Sequence, residues 1–370
     1  MIFSLRPVNC FQNSAKLLYY TDCFPRCERN TLSHSSIHVD TPIDAPVSDD
    51  SRLTALHHWA STLFPDAIFS VVPLAGDASF RRYFRVNSGD QTFVAMDAPP
   101  QLENCQPFVA IAKTFEQSTV RFPRIFSIDL QQGFLLLSDF GDRQLLPVLN
   151  DETADVLYRT AIDVLCDMQQ CRDVLNYKLP HFDDDLFWRE FEIFRTWYVK
   201  KHMNYTLSVD DENQLKNTYQ CLIDSATAQP VVFVHRDYHS RNIMLCDDSA
   251  LGILDFQDAV WGPITYDLIS LLRDCYIVWT DHQVQQWAAY FFQKNKNQLR
   301  DVDFLTFMKW FDWMALQRHL KCLGIFSRLH YRDHKHGYLK EMPRVLNYVM
   351  SVCDRYPELS GLTKLLRGDL

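Results

Sequence analysis

From residue 52 to residue 64 the apolar positions Leu53, Leu56, Trp59, Ala60 and Leu63 recur at helical spacing, with Ser51 placed to cap the first turn. Strand-like alternation follows at Phe69–Leu74, Arg82–Val86 and Thr92–Met96, and Ser88-Gly89-Asp90 reads as the hairpin turn between the last two. A helical stretch at 105–117 and two further strands, near Ile125 and at Phe134–Leu137, complete a small lobe of five strands and a helix. Beyond Asp139 the period lengthens. Amphipathic helices are predicted at 152–170, 183–202 and 211–226, then a strand-and-loop block at 231–262, then helix at 265–278 and onward to the end. Stripes such as Phe304, Phe307, Met308, Phe311 and Trp313 are of the kind that fills a core. The expected fold is α+β and bilobal, a β-rich small lobe and a larger, mostly helical lobe with a cleft between them.

Composition narrows the classes. The chain has 370 residues, 47% hydrophobic and 22% charged, enough to bury a substantial core. A net charge of -9 leaves no basic stripe for nucleic acid or anionic lipid. Eleven scattered cysteines read as reduced thiols, and no apolar run approaches the roughly 18 residues of a membrane span, so the expectation is a cytoplasmic protein with no obligate protein partner. Cys23, Cys27, His34 and His38 have ligand-pair spacings, but their middle gap is about half of what a zinc finger needs. Residues 1–48 are therefore expected to be a disordered extension, followed by a nucleotide-binding lobe at 49–139 and a catalytic, acceptor-binding lobe at 140–370.

The chemistry is concentrated in one block. The β-branched run Val231–Val234 leads into His235-Arg236-Asp237-Tyr238-His239-Ser240-Arg241-Asn242. This fits H-R-D-x-x-x-x-N, in which the Asp takes or orients the acceptor hydroxyl proton and the Asn binds magnesium. A hairpin at Ile243–Leu245 and Leu251–Leu254 then brings Asp255 back towards the loop as the second metal ligand, and oxygen donors suit magnesium. ATP and Mg2+ are the expected cosubstrate and cofactor. After Asp255 stand Phe256 and Gln257, and only eleven residues intervene before Asp267, too few for a segment that docks a peptide.

HRDYHSRN with ILDFQDAVWGPITYDL resembles the aminoglycoside-phosphotransferase and choline-kinase group, whose fold is protein-kinase-like and whose loop is His-x-Asp-x-His-x-x-Asn, with His239 at the second His. Within that group GDASFRRYFRV, FVAMDAPP, FLLLSDFGD, FDWMALQRHLKCLGIF and YDLISLLRDCYIVW are similar to the bacterial kinases of N-acetylmuramate and N-acetylglucosamine. The resemblance covers about residues 50–355. It implies phosphorylation of a C1 sugar hydroxyl in cell-wall recycling.

The nucleotide side departs from the usual pattern. Gly76 and Ser79 stand where a glycine-rich loop would cover phosphates, but Met96 occupies the position of the phosphate-pairing lysine. Arg81 and Arg82 are the nearest substitute cations, Arg82 slightly preferred. Val94 on the third strand is expected to contact the nucleotide, and the backbone of Leu137, Ser138 and Asp139 to hydrogen-bond an adenine edge. Asp267 and the two loop histidines, His235 and His239, are expected to brace the loop. For the acceptor, Arg318 and His319 are candidates to meet a carboxylate, and Glu190 and Trp197, on one helix face, to meet sugar hydroxyls and ring. Two other readings stay open: a kinase of a choline-like or aminoglycoside cation, and an impaired nucleotide-binding regulator, for which Met96 alone speaks.

Overall fold

A computed structural model describes residues 50–74 and 80–367, so the Cys23, Cys27, His34 and His38 set and the positions Gly76 and Ser79 lie outside the described residues. Helix α1 (Ser51–Leu63) is capped one residue earlier than expected: the Asp50 carboxylate, not the Ser51 hydroxyl, accepts the Leu53 amide at 3.0 Å. A carboxylate there also complements the positive end of the helix dipole. Strands β1 (Phe69–Pro73), β2 (Arg82–Ser88), β3 (Gln91–Asp97), β4 (Ile125–Asp129) and β5 (Phe134–Ser138) form one antiparallel sheet in the order β1-β2-β3-β5-β4, and helix α2 (Gln106–Phe115) lies between β3 and β4 in the chain. Ser88 pairs with Gln91, so the β2–β3 turn is Gly89-Asp90, and Gly89 takes the left-handed φ of 57° that such a turn demands.

Alternation along the strands gives the sheet two faces. Phe84, Val86, Ala95, Phe134 and Leu136 pack with Leu56 and Trp59 of α1. Tyr83, Val94, Met96, Leu135 and Leu137 point the other way, into a core shared with the helical half. That shared core makes Asp50–Leu370 one compact unit. Arg82 and Asp97 face each other on the α1 side, with Arg82 Nη2 2.6 Å from Asp97 Oδ2. Asp97 also accepts Arg52 Nε at 2.8 Å, and Arg82 reaches Asp50, so two arginines and two aspartates clamp the start of α1 to the sheet.

The helical half runs through α3 (Leu145–Val148), α4 (Ala154–Met168), α5 (Asp184–Ile193) and α6 (Val209–Thr227) to a block of short strands. In that block β6 (Val231–Val234) pairs with β9 (Val260–Pro263), and β7 (Ile243–Leu245) with β8 (Leu251–Ile253). Helices α7 (Tyr266–Leu272), α8 (Asp281–Lys294), α9 (Phe304–Tyr331), α10 (Met342–Cys353) and α11 (Ser360–Arg367) follow. The helix expected over 183–202 is α-helical only to Ile193 and continues as a π-helix over Phe194–His202. Helix α9 crosses it there at Gly324, where a Cβ would lie 2.6 Å from the Ile193 carbonyl carbon and the Phe194 nitrogen. Helix α7 stops at Leu272, short of the expected 278, and Asp274 beyond it accepts the Tyr276 amide at 2.9 Å in a turn. No helix of the described residues is long and apolar enough to cross a membrane.

His319 on α9 corrects one acceptor expectation. Its Nε2–H donates to the Arg273 carbonyl at 2.9 Å and its ring stacks on Tyr348 at 5.0 Å, wholly buried among helices. Burial lowers the imidazole to about 3.

Two measurements test this packing. Asp97→Ala should destabilise the fold by about 1–3 kcal/mol, because Arg52 and Arg82 lose their shared acceptor but keep access to water; an unchanged denaturation midpoint would contradict the clamp. The folded chain binds the His319 proton only near pH 3, whereas the unfolded chain binds it near 6.5. Stability from this group is complete above 6.5 and is lost as pH falls towards 3, at up to about 1.4 kcal/mol per pH unit. His319→Gln should remove one proton from the slope of stability against pH between 6 and 4, and an unaltered slope would refute the neutral buried ring.

Candidate active site

Strand β6, buried from Val232 onward, delivers the chain into the loop at His235. The Asp267 carboxylate, in the first turn of α7, accepts the His235 amide at 2.6 Å and the Arg236 amide at 2.9 Å. Arg236 takes a φ of 76°, a left-handed conformation that costs a residue with a side chain about 1–3 kcal/mol. The Asp267 bonds and the ion pair from Arg236 Nη2 to Glu190, at 2.6 Å, hold it there. The Asp237 carbonyl accepts the His239 amide and Asn242 Nδ2, both at 3.0 Å, and the Asn242 carbonyl accepts Leu254 N at 2.8 Å. The loop and the β7–β8 hairpin are thus tied to each other, and Asp255 turns back with a φ of 63°.

With its nitrogen committed to the loop, the Asn242 side chain has its oxygen for a ligand. Asp255 accepts Gln257 Nε2 at 2.7 Å. Its side chain keeps contact with solvent, yet the protein packed around it raises its carboxyl to about 6, the charge of Asp237 adds to that, and Gln257 opposes. One amide oxygen beside a carboxylate whose charge is poorly compensated suits a hard divalent cation that keeps phosphate oxygens and waters in its shell. Among the described residues no group of three or more His, Cys, Asp or Glu side chains is placed to hold a metal.

Asp237 is half-buried. Burial pushes its carboxyl up, but Lys321 foremost, then His239, Arg236 and Arg318, overcome this and hold it below the usual range. Lys321 was not singled out in the sequence as a site candidate. Its Nζ sits 2.8 Å from Glu190 and donates to the Tyr266 hydroxyl at 3.2 Å, and Gln317 Nε2 donates to Glu190 at 2.8 Å. Glu190, expected at sugar hydroxyls, is instead buried and its oxygens are taken by Arg236, Lys321 and Gln317. Arg318 is buried on the Asp237 side, with Nη1 3.7 Å from Cys275 Sγ and 3.8 Å from Cys322 Sγ. Trp197 is half-buried on the π-helical segment and takes no part in this network among the described residues. His239 stands edge-on to Tyr276 at 5.5 Å.

A column of rings, also missed, stands behind the loop. Phe108 of α2 contacts Phe256 at 4.6 Å, Phe256 contacts Phe122 at 4.4 Å, and Phe122 stacks on His235 at 6.3 Å. Burial lowers the His235 imidazole to about 4, so it is neutral at pH 7, and its Nδ1 accepts the Asp237 amide at 3.2 Å. The column joins the residue after Asp255 to the residue two before Asp237 through packing.

On the nucleotide side Arg82 is corrected: it faces α1, away from the loop, because its side chain lies on the opposite face of β2 from Tyr83. Val94 and Leu137 lie on the face that joins the main core. Ser138 is committed to strand pairing, its amide donating to the Arg124 carbonyl at 2.9 Å and its hydroxyl accepting Arg124 N at 3.0 Å. The Asp139 carboxylate pairs with Arg85 at 2.6 Å and accepts the Gly141 amide at 2.8 Å, which fixes the turn leaving β5. Met96 is fully buried.

A five-stranded antiparallel sheet joined to a helical half, with an Asp–Asn loop and a returning Asp, defines a kinase-like phosphotransferase. The comparisons agree: residues 70–305 match the model of the phosphotransferase enzyme family, and the chain belongs to that family. The N-acetylmuramate/N-acetylglucosamine kinase of Pseudomonas putida is 41% identical over 329 residues, 86% of this chain and 96% of that protein. The enzyme of the same name from Neisseria meningitidis is 38% identical over 85% of this chain and 95% of its own. In fold, the chain is similar to choline kinase LicA from Streptococcus pneumoniae, with a TM-score of 0.60 and 11% identity over 82% of this chain and 100% of that one. It is also similar to ADP-bound aminoglycoside phosphotransferase APH(2'')-Ib, with a TM-score of 0.54 and 12% identity over 80% and 97%.

Asn242→Ala and Asp255→Ala should each lower turnover to below about one-hundredth of the parent while leaving the melting temperature within a few degrees. Turnover preserved at saturating magnesium would remove both residues from the metal site.

Proposed function

We propose that the protein transfers the γ-phosphoryl group of ATP to the anomeric C1 hydroxyl of N-acetylmuramate or N-acetylglucosamine. Asp237 accepts the proton of the attacking hydroxyl, and the cations around it keep it ionised for that step. Magnesium bound at Asn242 and Asp255 would neutralise charge on the phosphates. The strained Arg236 turn fixes the direction of Asp237, so the hydroxyl need only enter in line. The reaction would run in the cytosol, as a salvage step for cell-wall sugars.

One observation carries the choice of acceptor: Lys321 and Arg318 both act on Asp237. Two cations beside the base favour a neutral or carboxylate-bearing sugar and disfavour a choline-like or aminoglycoside cation. The relatives at 41% and 38% identity are named as kinases of these two sugars, which supports the same choice.

ADP release should be measured with N-acetylmuramate, N-acetylglucosamine, choline and kanamycin as acceptors. The two amino sugars should turn over and their products should lose the reducing end, since C1 would be blocked. Turnover with choline or kanamycin alone, or a product that keeps its reducing end, would overturn the proposal.

A further inference from the structure

Met96 lies on β3 where kinases of this fold class carry the lysine that grips phosphates, and it is buried without any solvent contact. The charge is missing from that strand. Arg81, just before β2, falls on the same side of the strand as Tyr83 by the alternation that sends Arg82 to α1. Its Nη2 lies 2.8 Å from Glu103 Oε2, and the two side chains are only 10% and 13% exposed. Glu103 stands just ahead of α2, the helix whose Phe108 touches Phe256, the neighbour of Asp255. A guanidinium and a carboxylate held between the sheet and the leading end of this helix occupy the corner where a strand lysine and a helix glutamate would pair.

We infer that Arg81, positioned by Glu103, supplies the phosphate-facing cation that Met96 cannot, and that Glu103 is the positioning residue of this pair. The inference rests on the kinase reading of the site. Arg81 also acts on Tyr83 beside it, where burial raises the hydroxyl and Arg81 opposes. An arginine presents a fork of donors to phosphate oxygens, and a carboxylate on one edge of that fork sets its plane. Arg82, committed to Asp97 and Asp50 on the opposite face, has no such role.

The test compares Arg81→Ala, Arg81→Lys, Glu103→Gln and the double variant Arg81→Ala with Glu103→Gln. Two readouts are taken on the full chain: turnover with the amino sugars, and calorimetric titration of ATP with magnesium, which needs no acceptor. Arg81→Ala should lower kcat by about 10²–10³ while the KM for the sugar stays within about twofold. Glu103→Gln should lower kcat by about 10- to 100-fold, the usual cost of losing a partner that orients a working group. The double variant should be no worse than Arg81→Ala, because Glu103 acts only through Arg81. Arg81→Lys should recover part of the loss, and ATP affinity should fall about tenfold in Arg81→Ala. Additive losses, or an Arg81→Ala enzyme within about twofold of the parent in both readouts, would overturn the inference. If no sugar is phosphorylated by the parent, the acceptor reading fails, and the pair is judged on nucleotide affinity alone, by the same non-additivity.

Discussion

The two hydrogen bonds that the Asp267 carboxylate accepts from the His235 and Arg236 amides are the constraint on which the site depends. They hold the peptide of a residue in left-handed conformation, and that conformation sends the chain out of β6 with Asp237 presented at the loop and Arg236 turned towards the helices. Everything beyond follows from where Arg236 lands. It pairs with Glu190, Glu190 holds Lys321 and Gln317, and Lys321 in turn keeps Asp237 ionised. The loop closes on itself through Asn242 and the Asp237 carbonyl.

Such an arrangement is an expensive way to stabilise a fold. A buried carboxylate with two cations around it gains Coulomb energy mainly by offsetting its own desolvation, so well-packed apolar residues would serve stability at least as well. Burial raises the Glu190 carboxyl, and Lys321, then Arg236 and the Gln317 amide, bring it below its ordinary value. Burial likewise lowers the Lys321 ammonium, and Glu190 more than restores it. The balance makes sense as a way of fixing charges in place around one half-buried aspartate, before any substrate arrives. The ring column from Phe108 to His235 adds a stiff apolar support on the other side, where packing rather than charge transmits position.

That the loop, Asn242 and Asp255 come together was legible because they lie close together in the chain: strand, polar loop, hairpin and Asp255 follow in one stretch with fixed spacing. The five-stranded sheet was legible for a similar reason, each strand pairing with a near neighbour in sequence apart from the exchange of β4 and β5. What could not be read depends on facing. The preference for Arg82 over Arg81 turned on which side of β2 each residue takes, and that is settled only by the pairing with β3 and by α1. His319 and Lys321 lie two apart on α9, and rotation about the helix axis sends one to Arg273 and Tyr348 and the other to Glu190. Arg318 and Lys321, three apart and so on one face in a largely apolar stretch of α9, were the available signal for Lys321. Glu190 was expected at sugar hydroxyls on one helix face with Trp197, and its burial depends on α9, which supplies Lys321 and Gln317 and approaches closely at Gly324.

The central claim is that Asp237, held by this network, takes the proton from the attacking hydroxyl. Asp237→Asn is nearly isosteric and keeps the loop bonds made by the backbone, but it cannot accept a proton. Single-turnover transfer from ATP to N-acetylmuramate, with nucleotide affinity measured on the same sample, separates chemistry from binding. The account predicts transfer slowed by about 10²–10⁴ with ATP affinity unchanged. Transfer at more than about one-tenth of the parent rate would contradict it.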